Sequence, residues 1–230
     1  MNIAVVLAGG IGSRLSGDIP KQFINVHGKT IMEYTIEAFE HHPLIDSILV
    51  VSRDDYISYV QNLISDNGYK KVTQVIPGGS MRYESSLNAI RACQSDNDIL
   101  LFHDCARPLV SSRIIDDCIS SMSCHDAVTV AIPTTDTIYI TRDGSISSIP
   151  DRRTLQNAQT PQCFRLHIIR EAYRRALGDP TFTPTDDTSV VFRYMPEVKI
   201  KVVEGSTENI KVTYKEDLDF LSLKFGDDSQ

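Results

Sequence analysis

Short apolar runs rich in Val and Ile alternate with amphipathic stretches of helical length from the start of the chain to Ile132. Nothing else in the sequence limits the fold so tightly. The runs at 3–7, 47–52, 72–76, 98–103 and 127–132 have the length and continuous hydrophobicity of strands buried on both faces. Between them, Thr30 can cap a helix reaching about 41, and Asp54 or Asp55 opens a second that ends near Asn67-Gly68. A third runs over about 82–93, and Ser111 or Ser112 caps a fourth reaching about 123. This alternation predicts a mostly parallel sheet between two helical layers, a three-layer α/β sandwich. Ligands of such sheets bind beyond the carboxyl ends of the strands. Here those ends carry Gly9-Gly10, Gly78-Gly79 and His103-Asp104.

The alternation fails from 134 to 159. Runs at 137–141 and 146–149 flank Arg142-Asp143-Gly144, and Asp-Gly there predicts a hairpin. A hairpin interrupting such a sheet projects from it, as a dimerisation arm or as a surface flap. Helical spacing resumes at about 166–177 and 186–194. Strands are expected at 199–203 and, briefly, 210–212. A last helix over 215–225 sets Leu218, Leu221 and Phe225 on one face. The whole is expected to be one domain, 1–230, with an arm at about 134–159.

A net charge of -7 argues against a surface for nucleic acid or anionic membrane. No apolar run approaches the roughly 20 residues that span a bilayer, and the chain enters a strand directly, without the pattern of a signal peptide. The five cysteines lack a C-x-x-C pair, which favours free thiols in a reducing cytosol over disulfides or structural zinc. Charge for binding phosphate must therefore be local. Arg14, Lys21, Arg82, Arg107, Arg152 and Lys211 are the candidates.

Chemistry begins at Ala8, just past the first strand. Gly9, Gly10 and Gly12 let the backbone turn and bring its N–H groups to a ligand, and Arg14 and Lys21 add two cations, with Pro20 fixing the chain before the lysine. This suits a polyanion such as a triphosphate; the plainer alternative is a turn with two solvated charges. No Gly-Lys-Ser/Thr follows, so it is not a P-loop. Leu15 stands where a dinucleotide fingerprint needs glycine, which weighs against an NAD-dependent oxidoreductase.

Asp104, just past the fourth strand, can hold a divalent cation that bridges phosphates, or can cap a turn and pair with Arg107. Cys105 lacks an activating base and reads as a small buried side chain. Gly78-Gly79 let a flat ring approach the backbone, with Arg82 and Ser85 on the next helical turn. Asp151-Arg152, Gln159-Thr160-Pro161-Gln162, Thr185-Asp186-Asp187 and Asn209-Ile210-Lys211-Val212-Thr213 supply hydroxyls and cations suited to a phosphorylated polyol. Singly, each is also a plausible solvated loop.

In order along the chain, these pieces resemble the cytidylyltransferases that join CTP to a sugar-alcohol phosphate: the Gly-rich loop with Arg and P-K-Q, then G-G-x-x-R, H-D-x-A-R-P, D-R, T-P-Q, T-D-[DE] and N-I-K-V-T. That family includes enzymes for 2-C-methyl-D-erythritol 4-phosphate and for ribitol 5-phosphate. The resemblance implies a Rossmann-like nucleotidyltransferase sheet with a projecting β-hairpin arm. It implies that Arg14, Lys21 and Lys211 stabilise charge at the α-phosphorus, and that Ala8, Gly9, Gly10, Gly79, Arg82 and Ser85 bind CTP. Asp104 would hold Mg²⁺, and Arg107, Thr160 and Thr185 would contact the acceptor. Thr137 and Arg152 would reach it from the neighbouring subunit of a homodimer formed through the arm. A cytoplasmic enzyme is implied.

Ser80 stands where methylerythritol enzymes often carry an acidic residue, and the Leu7–Arg14 loop and 132–137 look like those of ribitol-type enzymes. Thr185-Asp186-Asp187-Thr188-Ser189 is nearer the methylerythritol group. The expected acceptor is ribitol 5-phosphate, with 2-C-methyl-D-erythritol 4-phosphate as the alternative. More distant readings are a sugar-1-phosphate nucleotidyltransferase and a non-catalytic nucleotide-binding protein.

Overall fold

In the computed structural model, which describes residues 1–10 and 19–227, the chain runs β1 (Asn2–Ala8), β2 (Asn25–Val26), β3 (Lys29–Thr30), α1 (Ile31–Glu40), β4 (Ser47–Ser52), α2 (Ile57–Asn67), β5 (Val72–Pro77), α3 (Arg82–Ala92), β6 (Ile99–Asp104), α4 (Ser112–Ser121) and β7 (Ala127–Pro133). It continues with β8 (Ile140–Arg142), β9 (Ser145–Ser148), β10 (Gln156–Arg165), α5 (Leu166–Ala176), α6 (Asp187–Tyr194), β11 (Ile200–Glu204) and α7 (Lys215–Asp227). The strand–helix alternation matches the sequence reading almost element for element. Caps explain several starts. Thr30 accepts from Glu33 N while Glu33 accepts from Thr30 N, a capping box, and Ser111 caps α4 through Ile114 N.

Seven strands form the central sheet in the order β11-β7-β10-β6-β1-β4-β5. β4, β1 and β6 pair in parallel, as do β4 with β5 and β11 with β7. Alternate residues of β1 enter opposite cores. Ile3, Val5 and Leu7 pack with α3, α5 and α6, whereas Ala4, Val6 and Ala8 pack with α1, α2 and α4. That gives the three layers. A smaller apolar cluster seats α7 against the β2–β3 hairpin through Val26, Ile31, Val212 and Leu221, with Tyr34 and Phe225 stacked 3.6 Å apart.

Two departures bear on function. β10 was not expected, because Gln156, Asn157, Gln159, Thr160 and Gln162 read as a polar loop. It lies antiparallel between β6 and β7, with its register slipping between Gln159 and Gln162. Its buried amides are hydrogen-bonded: Gln159 to Ser206 and Asn209, Gln162 to Asp186 and Asp187. The short strand expected at 210–212 does not form. That segment is an irregular strap tied by Val212 N to Ala106 O at 2.8 Å and by Arg107 Nη1 to Asn209 O at 2.7 Å. The β8–β9 hairpin forms as expected, with Asp143 and Gly144 at φ 50° and 77°, a backbone that Asp-Gly adopts readily. Its two strands pair only with each other.

Candidate active site

Strand order reverses between β1 and β6, since β4 and β5 continue outward on one side of β1 and β6 lies on the other. The crevice at such a switch point is where open α/β sheets bind ligands. A cleft of about 200 Å³ opens there, lined by Ala8, Gly9, Gly10, Lys21, Arg82, Ser85, Asp104 and Lys211 among others. A second compartment adjoins it and is lined by Arg107, Thr160, Gln162 and Thr185; Arg82, Asp104 and Lys211 line both. Most of the expected site residues are thus brought together, although they come from opposite ends of the chain.

At the end of β1, Gln22 Nε2 donates to Ala8 O at 2.8 Å, drawing the short helical turn Lys21–Phe23 onto the glycine segment. Lys21 Nζ donates to Val212 O at 3.0 Å, linking this turn to the C-terminal strap. Arg14 lies outside the described residues. Gly79 does not line the cleft but shapes its edge. Its N–H donates to Ser85 Oγ at 3.2 Å, and a Cβ there would sit 2.2 Å from Glu84 Cβ, so only glycine fits.

Asp104 is the electrostatic centre. Lys211 Nζ reaches its Oδ2 at 2.7 Å, Arg82 Nε its Oδ1 at 3.4 Å, and Arg107 Nε its Oδ2 at 3.9 Å. Burial alone would raise its pKa, but Arg82, Lys211 and Arg107 outweigh that and hold the carboxyl well below the usual range. Arg82 is half-buried, which disfavours its charge, yet Asp187 and Asp104 more than compensate. The pairing of Asp104 with Arg107 foreseen from the sequence is therefore present, within a larger cluster.

His103 was not singled out as a functional residue. It is fully buried, and burial lowers its pKa to about 4, so the ring is neutral. Its Nε2 lies 3.0 Å from Arg107 O, an acceptor only, so Nε2 carries the proton and Nδ1 accepts from Thr160 Oγ1 at 3.0 Å. Thr160 Oγ1 in turn accepts from Asp104 N at 3.2 Å. Thr160 thus lines the acceptor compartment while its hydroxyl holds the end of β6. Cys105 is buried and its thiol is pushed up to about 12, chiefly by burial, which suits the small packing side chain expected.

Thr137 and Arg152 stand apart. Both are exposed and line neither compartment, and among the described residues Arg152 Nη1 donates to Thr135 O at 3.2 Å. Among the described residues, no cluster of three or more His, Cys, Asp or Glu could form a metal cage.

A cationic cleft around one anionic carboxylate, at the switch point of this sheet, defines a phosphate-handling α/β enzyme. The model of the family 2-C-methyl-D-erythritol 4-phosphate cytidylyltransferase matches residues 2–223. An enzyme of that name from Thermobifida fusca is 45% identical over 222 residues, covering 94% of this chain and 89% of the relative. A bifunctional ribulose 5-phosphate reductase/CDP-ribitol pyrophosphorylase from Haemophilus influenzae is 39% identical over 221 residues, covering 94% of this chain and 46% of the relative. The solved 4-diphosphocytidyl-2C-methyl-D-erythritol synthase of Anaerococcus prevotii superposes with a TM-score of 0.86 at 27% identity, covering 98% of each chain.

The chain belongs to the 2-C-methyl-D-erythritol 4-phosphate cytidylyltransferase family. It is a nucleotidyltransferase that acts on CTP and a polyol phosphate. The family model and the T. fusca relative are named for the methylerythritol substrate, which favours the alternative acceptor over the expected ribitol 5-phosphate.

Proposed function

We propose that this protein transfers CMP from CTP to 2-C-methyl-D-erythritol 4-phosphate. One observation carries the two-substrate reading: two adjoining compartments share Arg82, Asp104 and Lys211 at their junction. A triphosphate seated along Gly9, Gly10 and Lys21 brings its α-phosphorus to that junction. An acceptor phosphate held by Arg107 and Thr185 approaches from the other side.

An acceptor phosphate oxygen forms the new bond to the α-phosphorus. The bond from that phosphorus to the bridging oxygen breaks, and pyrophosphate leaves with the electron pair. A phosphate monoester is already anionic near neutral pH, so no strong base is required. Catalysis rests on alignment and charge neutralisation. Lys21, Lys211 and Arg14 neutralise the charge that builds on the α-phosphate oxygens. Ala8, Gly9, Gly10 and Ser85 form the wall for the base and ribose, with Gly79 shaping its edge and Arg82 behind the phosphates.

Mg²⁺ fits this site in its common form, one protein carboxylate with the remaining ligands from phosphate and water. Asp104 is anionic on the cleft wall, and Lys211, its closest partner, is 43% exposed and can exchange onto phosphate. Asp104 would hold the ion, which when bound supplies charge neutralisation across the triphosphate.

The arm completes the acceptor compartment in a homodimer. Ile138, Tyr139, Ile140, Ile146 and Ile149 are all exposed around the hairpin, an apolar surface suited to a second copy. Thr137 and Arg152 lie on the same segment and reach the partner's acceptor site. Free thiols at Cys93, Cys105, Cys118, Cys124 and Cys163 accord with a cytoplasmic setting. Among the described residues, no helix is long and apolar enough to cross a membrane.

The test is to incubate the protein with CTP, Mg²⁺ and either 2-C-methyl-D-erythritol 4-phosphate or ribitol 5-phosphate, and to weigh the products. The CDP-methylerythritol mass should dominate. CDP-ribitol as the faster product would instead favour the reading supported by the H. influenzae relative.

A further inference from the structure

Behind Arg82 lies a fully buried carboxylate that the reaction above does not use. Asp187 begins α6 and has no exposed surface. Its Oδ2 accepts from Arg82 Nη1 at 2.6 Å and its Oδ1 from Tyr173 OH at 2.7 Å, while its backbone N–H donates to Gln162 Oε1 at 3.1 Å. We propose that Asp187 is a positioning residue of the transfer reaction: with Tyr173 behind it, it fixes the Arg82 guanidinium at the junction of the two compartments. The proposal rests on the reading that these compartments take CTP and the acceptor.

Three observations converge. Arg82 is clamped at two edges, by Asp187 on Nη1 and by Asp104 on Nε at 3.4 Å. Of the five N–H donors of a guanidinium, the remainder are left for phosphate oxygens, and 29% of the side chain is exposed, on a residue that lines both compartments. The clamp also ties the junction to the acceptor wall. Asp104 ends β6 and lines both compartments, and Asp187 follows Thr185 and Asp186 of the acceptor wall. Lastly, a buried ion pair is a poor device for stability alone, because apolar residues of the same volume usually serve as well. Its value here is orientation, which an apolar pair cannot supply. A guanidinium held on two edges meets phosphate without first losing side-chain freedom.

The experiment is a double-mutant cycle of Asp187→Asn with Arg82→Ala, reading kcat, KM for each substrate and Tm. Asparagine keeps the volume and an acceptor for Tyr173 but removes the charge facing Arg82. In the wild-type background it should lower kcat/KM for the acceptor by about tenfold, the range of coupled buried pairs. KM for CTP should move by less than about threefold, since Gly9, Gly10, Ser85 and Lys21 keep their places on the nucleotide. In the Arg82→Ala background it should cost nothing further. Equal losses in both backgrounds would overturn the proposal, as would a lowered Tm with unchanged kinetic constants. If Asp187→Asn does not fold, Tyr173→Phe takes its place, with a loss of about threefold that vanishes without Arg82; a loss that persists without Arg82 overturns the proposal. Wild-type turnover in the same assay separates the failures. No product from wild type defeats the two-substrate reading and the proposal with it, while active wild type with additive losses defeats the positioning role alone.

Discussion

Asp104 and Arg152 belong to opposite ends of the proposed site and are held under opposite conditions. Asp104 is 9% exposed at the end of a central strand, with Lys211, Arg82 and Arg107 around it. Arg152 is exposed on a segment flanked by a two-stranded hairpin, with one backbone carbonyl as its partner. The described charges of the cleft are fixed by the chain's own core. The arm carries polar groups and apolar residues together into solvent, as a surface does when its partner is another molecule. On the proposed reading, geometry at the nucleotide end is intrinsic and geometry at the acceptor end depends on assembly.

The strongest way to break this contrast is at the cleft. Lys21→Ala or Lys211→Ala should each lower kcat by roughly 10²-fold or more, the usual cost of one transition-state charge contact. Steady-state assays giving near-normal rates for both would remove the cleft from the mechanism. At the arm, Ile140→Asp with Ile146→Asp should give monomers by sedimentation and lower activity by about tenfold while the circular dichroism of the fold is retained. A fully active monomer would show that the arm is a flap.

A smaller effect distinguishes the rigid cleft by pH. His103 is held neutral, so between its ordinary value of 6.5 and about 4 the unfolded chain binds a proton that the folded chain refuses. Stability should therefore fall as pH drops through that window, and His103→Asn should flatten the fall in a series of thermal melts. Asp104 contributes with the same sign: its depressed pKa stabilises above 3.8 and that stability is lost only in stronger acid, so its window adjoins the lower end of that of His103. The smallest effect belongs to the arm's own hydrogen bonds. Ser147 Oγ donates to Ile140 O at 2.9 Å in full exposure, and Ser147→Ala should change unfolding free energy by less than about 0.5 kcal/mol.

The same contrast governs what could be read from the sequence. Strands such as 47–52, buried along their whole length, announce themselves by continuous hydrophobicity. Turn chemistry at Asp143-Gly144 identified the hairpin equally well. β10 was invisible because its buried positions carry Gln and Thr, whose burial depends on distant partners such as Asn209 and Asp186. The 210–212 run misled for the converse reason. Ile210 and Val212 look like a strand, but only Val212 is buried, and one backbone bond to Ala106 replaces a ladder. Site residues next to glycines or strand ends were legible. Asp187 and His103 were not assigned roles, since each meets the cleft through a neighbour, Arg82 or Thr160, that sequence spacing does not reveal.

Co-expression of Lys211→Ala and Arg152→Ala subunits tests most directly whether one subunit's cleft is completed by its partner's arm. Lys211→Ala alone should be nearly inactive, and Arg152→Ala alone should keep about a tenth of wild-type turnover, the loss expected of the monomer. Random pairing of two-fold symmetric dimers would restore one intact site per mixed dimer, so the mixture should recover about a quarter of wild-type turnover. A mixture no more active than the two variants assayed separately would contradict the account and place both residues in the same subunit's site.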